Sequence, residues 1–212
     1  CTLEMPETHN GYVWSHWLED GDLNRIKTVT MDANITLTAV FIPDTTPPTI
    51  SIVSPENKTY PVKDVPLTFT VSELTSWIGY SLDGQMNVTI SGNTTIVGLF
   101  DGTHTITVYA SDTAGNMGYS NTVYFTIDTV SPIIEILSPE EKAYATSSVS
   151  LSFTVDEATS WIGYSLDGQA NITIAGNTSL TRLPDGMHSL VVYAKDMAGN
   201  TGSSDIVYFT IE

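Results

Sequence analysis

The chain has 212 residues and a formal charge of −17, with seven Lys and Arg against 24 Asp and Glu, so its summed field repels phosphate backbones and anionic membranes and attracts cations. Nucleic acid is excluded as a partner. One cysteine, Cys1, leaves no intrachain disulfide, and every core must hold by packing; this position reads as a fragment boundary rather than a lipidated terminus. No apolar run approaches the length of a membrane span and no signal peptide remains, so any anchor is expected outside this sequence.

In chain order the first segment carries GYVWSHWLEDG and then TVTMDANITLTAVFIP, alternating runs that predict a small or partial β domain over residues 1–43. From Pro48 the composition changes. Short Thr, Val, Ile and aromatic runs alternate with Gly, Asp, Asn and Pro clusters, with no helical periodicity of useful length. Strands are predicted at 49–53, 67–72, 77–82, 86–91, 94–99, 103–111 and 122–127. Between them Asp83-Gly84, Asp101-Gly102 and Gly115-Asn116 supply residues that tolerate the positive φ of tight turns. Along THTITVYA, period-two alternation puts His104, Ile106, Val108 and Ala110 on one face, which is expected to be the core face.

The whole unit then repeats. An offset of 84 residues carries Trp77 onto Trp161, Tyr109 onto Tyr193 and Phe125 onto Phe209 without insertion or deletion, and about 60% of positions match, far beyond chance for so long a period. Three domains follow: residues 1–43, a first sandwich over 44–128 and a second over 129–212. The expected fold is all-β, with two tandem seven-stranded immunoglobulin-like β-sandwiches after a small N-terminal β segment. Duplicated compact units give reach, valency or stiffness, whereas an active site is usually assembled once from unlike parts. No nucleophile elbow, HExxH helix, Walker loop or cysteine cluster occurs, so no enzyme is expected.

The linkers PDTTPP and IDTVSP join each exit strand to the next entering strand with little free chain, and proline stiffens both. In a sandwich of this topology the loops after the second and sixth strands lie at the end where the first strand enters. Asp44, Glu73, Asp112 and Asn116 are therefore expected to converge at the first linker, and Asp128, Asp156, Glu157, Asp196 and Asn200 at the second. Carboxylates and amide oxygens with little lysine nearby form the ligand set of a hard cation such as Ca²⁺. The alternative is that Asp112 and Asn116 only cap a hairpin turn.

Three further groups stand out. Asn34, Asn57, Asn87, Asn93, Asn171 and Asn177 each open an Asn-x-Ser/Thr triplet, the acceptor pattern for N-glycosylation in a secreted protein. Trp77 and Trp161 alternate with Gly79 and Gly163 and are expected opposite Ile78, Tyr80 and Leu82; either they stack on a sugar ring or they pack on the glycine. His104 and His188 are expected to anchor a turn by hydrogen bonding rather than to hold a metal.

The runs TSWIGYSLDGQ, LFDGTHTITVYASDTAGN and VYFTID, with LPDGMHSLVVYAKDMAGN in the second copy, resemble the bacterial and archaeal immunoglobulin-like (fibronectin-like) repeats of large surface proteins over nearly all of residues 45–212. Trp14, Trp17 and ITLTAVF resemble the closing half of an internalin B-repeat-like module. The resemblance implies an extracellular stalk, adhesin, surface-layer or sheath component without catalysis, and the reading here is a segment of a secreted archaeal surface protein. Its implied partners are neighbouring domains, glycans or further copies of itself. The rival readings are a repeated carbohydrate-binding module, an accessory region of a larger extracellular enzyme, and a filament subunit whose N-terminal sheet is completed by a neighbour's strand.

Overall fold

A computed structural model describes residues 2–9, 11–18, 20–29 and 36–212. Cys1 and Asn34 lie outside the described residues. The fold is all-β, and by Cα proximity the chain divides into two compact units, one of residues 1–58, 64–97 and 103–125 and one of residues 59–63, 98–102 and 126–212.

Among the described residues the first unit begins with five short strands, β1 (Thr2–Glu4), β2 (Thr8–His9), β3 (Tyr12–Trp17), β4 (Ile26–Thr28) and β5 (Ala39–Pro43). They form a two-stranded sheet β1-β4 and a three-stranded sheet β2-β3-β5. Antiparallel pairing sets Trp14 opposite Phe41 and Trp17 opposite Ala39. Trp17 is 1% exposed, and its Nε1 donates to Asn24 O at 2.9 Å while Trp14 Nε1 donates to Leu23 O at 3.2 Å. The edge-on Trp14–Trp17 pair, 5.3 Å between centroids, supplies apolar area with each polar tip satisfied, which is how so small a sheet closes.

The same unit holds most of the first sandwich: β6 (Ile50–Ser54), β8 (Val65–Val71), β9 (Thr75–Leu82), β10 (Val88–Ile90), β11 (Thr94–Ile96), β12 (Gly102–Asp112), β13 (Met117–Tyr119) and β14 (Val123–Ile127). One layer runs β11-β8-β6, the other β10-β9-β12-β14 with β13 also on β12. On β12 the expected core face is buried at His104, Ile106, Val108 and Ala110, and the alternation continues to Asp112. Val65, Leu67, Ile96 and Phe125 are buried too. The Asp83-Gly84 turn has φ of 52° and 70°, the left-handed pair that matches the twist of an antiparallel hairpin.

In the second unit the end of β14 pairs in parallel with β7 (Thr59–Tyr60), Thr126 opposite Thr59 and Ile127 opposite Tyr60. The second sandwich follows as β15 (Ile134–Ser138), β16 (Ala143–Tyr144), β17 (Ser148–Val155), β18 (Thr159–Leu166), β19 (Ile172–Ile174), β20 (Thr178–Thr181), β21 (Gly186–Asp196), β22 (Thr201–Ser203) and β23 (Val207–Ile211). Its layers run β15-β17-β20 and β16-β23-β21-β18-β19, with β22 also on β21. Val149, Leu151, Phe153, Leu180, Leu190, Val192, Phe209 and Ile211 fill the space between them, with Ile162, Tyr164 and Leu166 packed against that core.

Two details differ from the predicted seven strands. The short β16 adds a parallel partner to β23, and the short β22 precedes the predicted last strand, β23, after a break at Ser204. At the break Ser204 takes over the ladder: its N–H donates to Val192 O at 2.8 Å and its hydroxyl accepts from Val192 N at 3.0 Å. Every copy of the unit therefore carries nine strand elements, the two extra ones being pieces too short to leave a period in sequence.

Glycine also fixes where the linker enters. A Cβ on Gly202 would lie 2.0 Å from the carbonyl oxygen of Pro132, and one on Gly118 would lie 1.9 Å from that of Pro48. Backbone cannot yield there as a flexible side chain would. We expect Gly202→Ala to destabilise the second sandwich by about 1–3 kcal/mol, the usual cost of overpacking, read as a lower urea midpoint at unchanged slope.

Candidate cation site at the sandwich entrance

Asp112 closes β12 at a break in register after Ser111. It is 2% exposed, which an ionised carboxylate tolerates only when hydrogen-bonded. Its Oδ1 accepts from Ala114 N at 2.8 Å and Asn116 N at 2.9 Å, and its Oδ2 accepts from Asn116 Nδ2 at 2.8 Å. The same Asn116 amide donates to Asp44 O at 3.0 Å. Thus one Asp-x-x-x-Asn loop both caps its own turn and holds the incoming linker. The second sandwich repeats this: Asp196 Oδ1 accepts from Gly199 N at 2.6 Å and Asn200 N at 2.9 Å, and Asn200 Nδ2 donates to Asp196 Oδ2 and to Asp128 O, each at 2.8 Å.

Holding that carbonyl places the linker carboxylate. Asp44, Glu73 and Asp112 offer oxygens all within 4.8 Å of one another, and so do Asp128, Glu157 and Asp196. Oxygens bound to one Ca²⁺ at about 2.3–2.6 Å lie no more than about 5 Å apart, so each triad fits a common hard cation, and the absence of sulfur or imidazole in the set disfavours a softer one. The two acidic triads could bind metal. Among the described residues, the ion pairs of Lys and His go to other carboxylates.

Electrostatics divides the triad unequally. Burial pushes the Asp112 carboxyl up, but the Asn116 side chain and the N–H groups of Asn116, Gly115 and Ala114 outweigh it and hold the group below the ordinary carboxylate range. Asp196 is lowered by the same balance against Asn200, Gly199 and Ala198. Glu73 is raised, first by burial and then by the charges of Asp44 and Asp112. Glu157 is raised by burial and by Asp128, Asp196 and Asp156. The glutamate therefore carries the unrelieved repulsion that a cation would remove.

The remaining expected residues fall elsewhere. Asp156 stands beside the second triad, where its Oδ1 accepts from Ile133 N at 2.8 Å; Ser72 does the same for Thr49 N at 3.0 Å in the first copy. Asn116 and Asn200 present amide nitrogen rather than oxygen to their carboxylates. Asn57, Asn87 and Asn171 are exposed. Asn93 and Asn177 are exposed as well, and their Oδ1 atoms accept from Phe69 N and Phe153 N at 3.0 and 3.1 Å.

Trp161 packs on Gly163, where an added Cβ would meet its ring at 2.4 Å, and its Nε1 donates to Thr173 Oγ1 at 3.0 Å. Trp77, Gly79 and Thr89 are arranged likewise. His104 Nδ1 pairs with Asp83 Oδ2 and His188 Nδ1 with Asp167 Oδ2, each at 2.8 Å. His188 Nε2 also meets Pro184 O at 2.8 Å. Two oxygen neighbours are best served when both ring nitrogens donate, which matches a His188 pKa held above its ordinary value by the Pro184 carbonyl and Asp167. Sequence reasoning missed the contact of Asp101 with the linker, whose Oδ1 accepts from Thr129 N and Oγ1 at 3.0 Å; the only signal was the identity of the Asp-Gly turn in both copies.

No family model matches the chain. Over 150 residues it is 31% identical to halomucin from Haloquadratum walsbyi, a stretch that is 67% of this chain and 2% of that protein; the chain thus spans a small fraction of the relative's length. Among solved structures, the fibronectin(III)-like modules of CbhA from Clostridium thermocellum align with a TM-score of 0.45 and 18% identity, covering 77% of this chain and 94% of theirs. A 1.5-MDa bacterial ice-binding adhesin aligns at 0.44 and 15%, covering 80% and 66%. The D00-D0 domain of intimin aligns at 0.38 and 14%, covering 77% and 99%. The chain's own strand order is what identifies the sandwiches.

The His188 pin gives a signed pH dependence. Pro184 O, then Asp167, raise His188 above 6.5 against the opposing effect of burial, so its contribution is complete below that value and is lost as pH rises through the folded pKa. Asp167 is lowered from 3.8 because His188 and Ser189 N–H outweigh burial, and its contribution is lost as pH falls through its folded pKa. Protection of the Ser189 amide, which donates to Asp167 Oδ1 at 2.9 Å, should peak between those limits, and His188→Gln should remove the alkaline limb in a hydrogen-exchange series.

Proposed function

We propose that this chain is a non-catalytic structural or adhesive segment of a secreted archaeal cell-surface protein. It forms a semi-rigid multidomain stalk of modules at 1–43, 44–128 and 129–212, acting outside the cell. The observation that carries the reading is the duplicated entrance: in each sandwich an Asp-x-x-x-Asn loop holds the preceding carbonyl and gathers three carboxylates around it. A module that grips its own linker resists bending there, and a cation shared by linker and loop carboxylates removes further freedom. The resemblance to a stretch of halomucin supports the source and the extracellular setting.

Ca²⁺ is the cation proposed for the Asp44–Glu73–Asp112 and Asp128–Glu157–Asp196 triads. Glycans on Asn57, Asn87 and Asn171 would extend from exposed turns, since those side chains are the ones outside the hydrogen bonds that hold Asn93 and Asn177 to the backbone. Trp77 and Trp161 spend one ring face on glycine and their indole N–H on threonine, which favours their packing role over sugar stacking.

Thermal unfolding with Ca²⁺ and with excess chelator tests the reading. The wild-type midpoint should rise with Ca²⁺, and the double variant Glu73→Gln, Glu157→Gln should lose that rise. In chelator the variant should unfold at the same or a higher temperature, because a glutamate raised by its neighbours weakens the fold when ionised and its neutral isostere does not. Superimposable curves for the wild type would sink the calcium-stiffened stalk.

A further inference from the structure

The repeated sequon and the tryptophan beside glycine meet on one face of each sandwich. In the first, β10 pairs antiparallel with β9 and sets Thr89 opposite Gly79, so the two positions share a face. Trp77 precedes Gly79 by two residues and shares that face too. Its ring covers the glycine, where an added Cβ would meet it at 2.5 Å, and its Nε1 donates to Thr89 Oγ1 at 3.0 Å. Thr89 closes the triplet Asn87-Val88-Thr89, and period-two alternation carries its face back to Asn87, immediately before β10.

The second sandwich repeats the arrangement. Thr173 stands opposite Gly163, accepts from Trp161 Nε1 at 3.0 Å, and closes the triplet Asn171-Ile172-Thr173. Ile162, Tyr164 and Leu166, the alternate residues of β18, pack against the core, so the indole lies on the outward face. Both tryptophans are half-buried and both asparagines are exposed. Glycine takes one face of each ring and leaves the opposite face to solvent. Positions two apart on a strand are separated by about 6.4–6.8 Å, a gap that an asparagine side chain carrying one pyranose spans.

We propose that the outward face of each indole is the seat of the chain's own glycan: the first pyranose on Asn87 lies against Trp77, and the first pyranose on Asn171 lies against Trp161. Attachment replaces one Nδ2 hydrogen of the asparagine with the anomeric carbon of an oligosaccharide carried on a lipid phosphate. The carrier phosphate is the leaving group, and the displaced proton goes to solvent. The C–H face of the sugar then meets the electron-rich face of the ring and shields the indole-to-threonine bond from water. This contact is intramolecular and keeps the packing of each ring on its glycine. It rests on the reading that Asn87 and Asn171 carry glycans.

The test uses the full chain secreted by an archaeal host that transfers lipid-phosphate-linked oligosaccharide to Asn-x-Thr. Mass spectrometry maps the occupied asparagines, and NMR follows the ring protons of each first sugar. Both sites should be occupied, with sugar C–H protons shifted upfield by the indole and returned to free-glycan positions in Trp77→Leu and Trp161→Leu chains. Asn87→Gln should lower the thermal midpoint when Trp77 is present and leave it unchanged in the Trp77→Leu background. The wild-type shifts decide the matter even where a tryptophan variant fails to fold. Occupied sites whose sugar protons sit at free-glycan positions overturn the stack and leave the glycan reading standing. Empty sites overturn both.

Discussion

The hydrogen bond from the Asn200 amide to the carbonyl of Asp128, with its twin from Asn116 to Asp44, is the contact on which the rest of each entrance depends. A linker carbonyl is a weak handle by itself, because the net value of a neutral hydrogen bond in water is about 1 kcal/mol. Here the donor is already immobilised: Asp196, 1% exposed, holds the asparagine by its backbone and its side chain together. Little side-chain entropy remains to be lost when the linker arrives, so more of the bond's strength is realised. The close seat of Gly202 against Pro132 then fixes the direction in which the chain proceeds.

The same clasp creates the electrostatic problem of the site. By drawing the linker backbone inward it brings the Asp128 side chain to a buried, fully hydrogen-bonded aspartate that stays ionised, and Glu157 completes the group. Repulsion falls on the glutamate because that residue alone lacks compensating N–H donors. Both copies carry the same three acids, and among the described residues the ion-paired lysines Lys58, Lys63 and Lys142 meet other carboxylates.

Much of this was legible in the sequence, for identifiable reasons. Period-two alternation in THTITVYA named the inward residues of β12, because one face of an antiparallel layer is dry and the other wet. Asp-Gly dipeptides located turns whose backbone needs positive φ. The convergence of acidic loops followed from topology alone. What could not be read was orientation. Whether an asparagine offers its oxygen or its nitrogen, and whether Asp156 joins the triad or holds the entering strand at Ile133, depends on which backbone groups stand unpaired nearby, and that is settled only by register. The breaks that make β13 and β22 were hidden for a related reason: a serine hydroxyl replaces a ladder bond without altering the apolar pattern.

Differences between the two copies separate what the fold requires from what it merely tolerates. Ser72 becomes Asp156, yet each accepts the same entering N–H, so the constraint there is an acceptor and not a charge. Gly98, at φ 68°, becomes Arg182 at φ 60°, a left-handed site that a non-glycine residue occupies at a cost of about 1 kcal/mol or more, so the turn geometry is held even against that strain. Phe100 becomes Pro184 while the following Asp-Gly is unchanged. Among the elements identical in both copies are the clasp, the three acids, the glycine beneath the proline carbonyl and the aspartate of the exit turn. The clasp and the acids meet the preceding segment of chain, and the variable Ser72 and Asp156 keep the one acceptor that the entering strand needs. A clasp repeated in both copies down to its donor and acceptor atoms is a contact that the entrance of each sandwich requires.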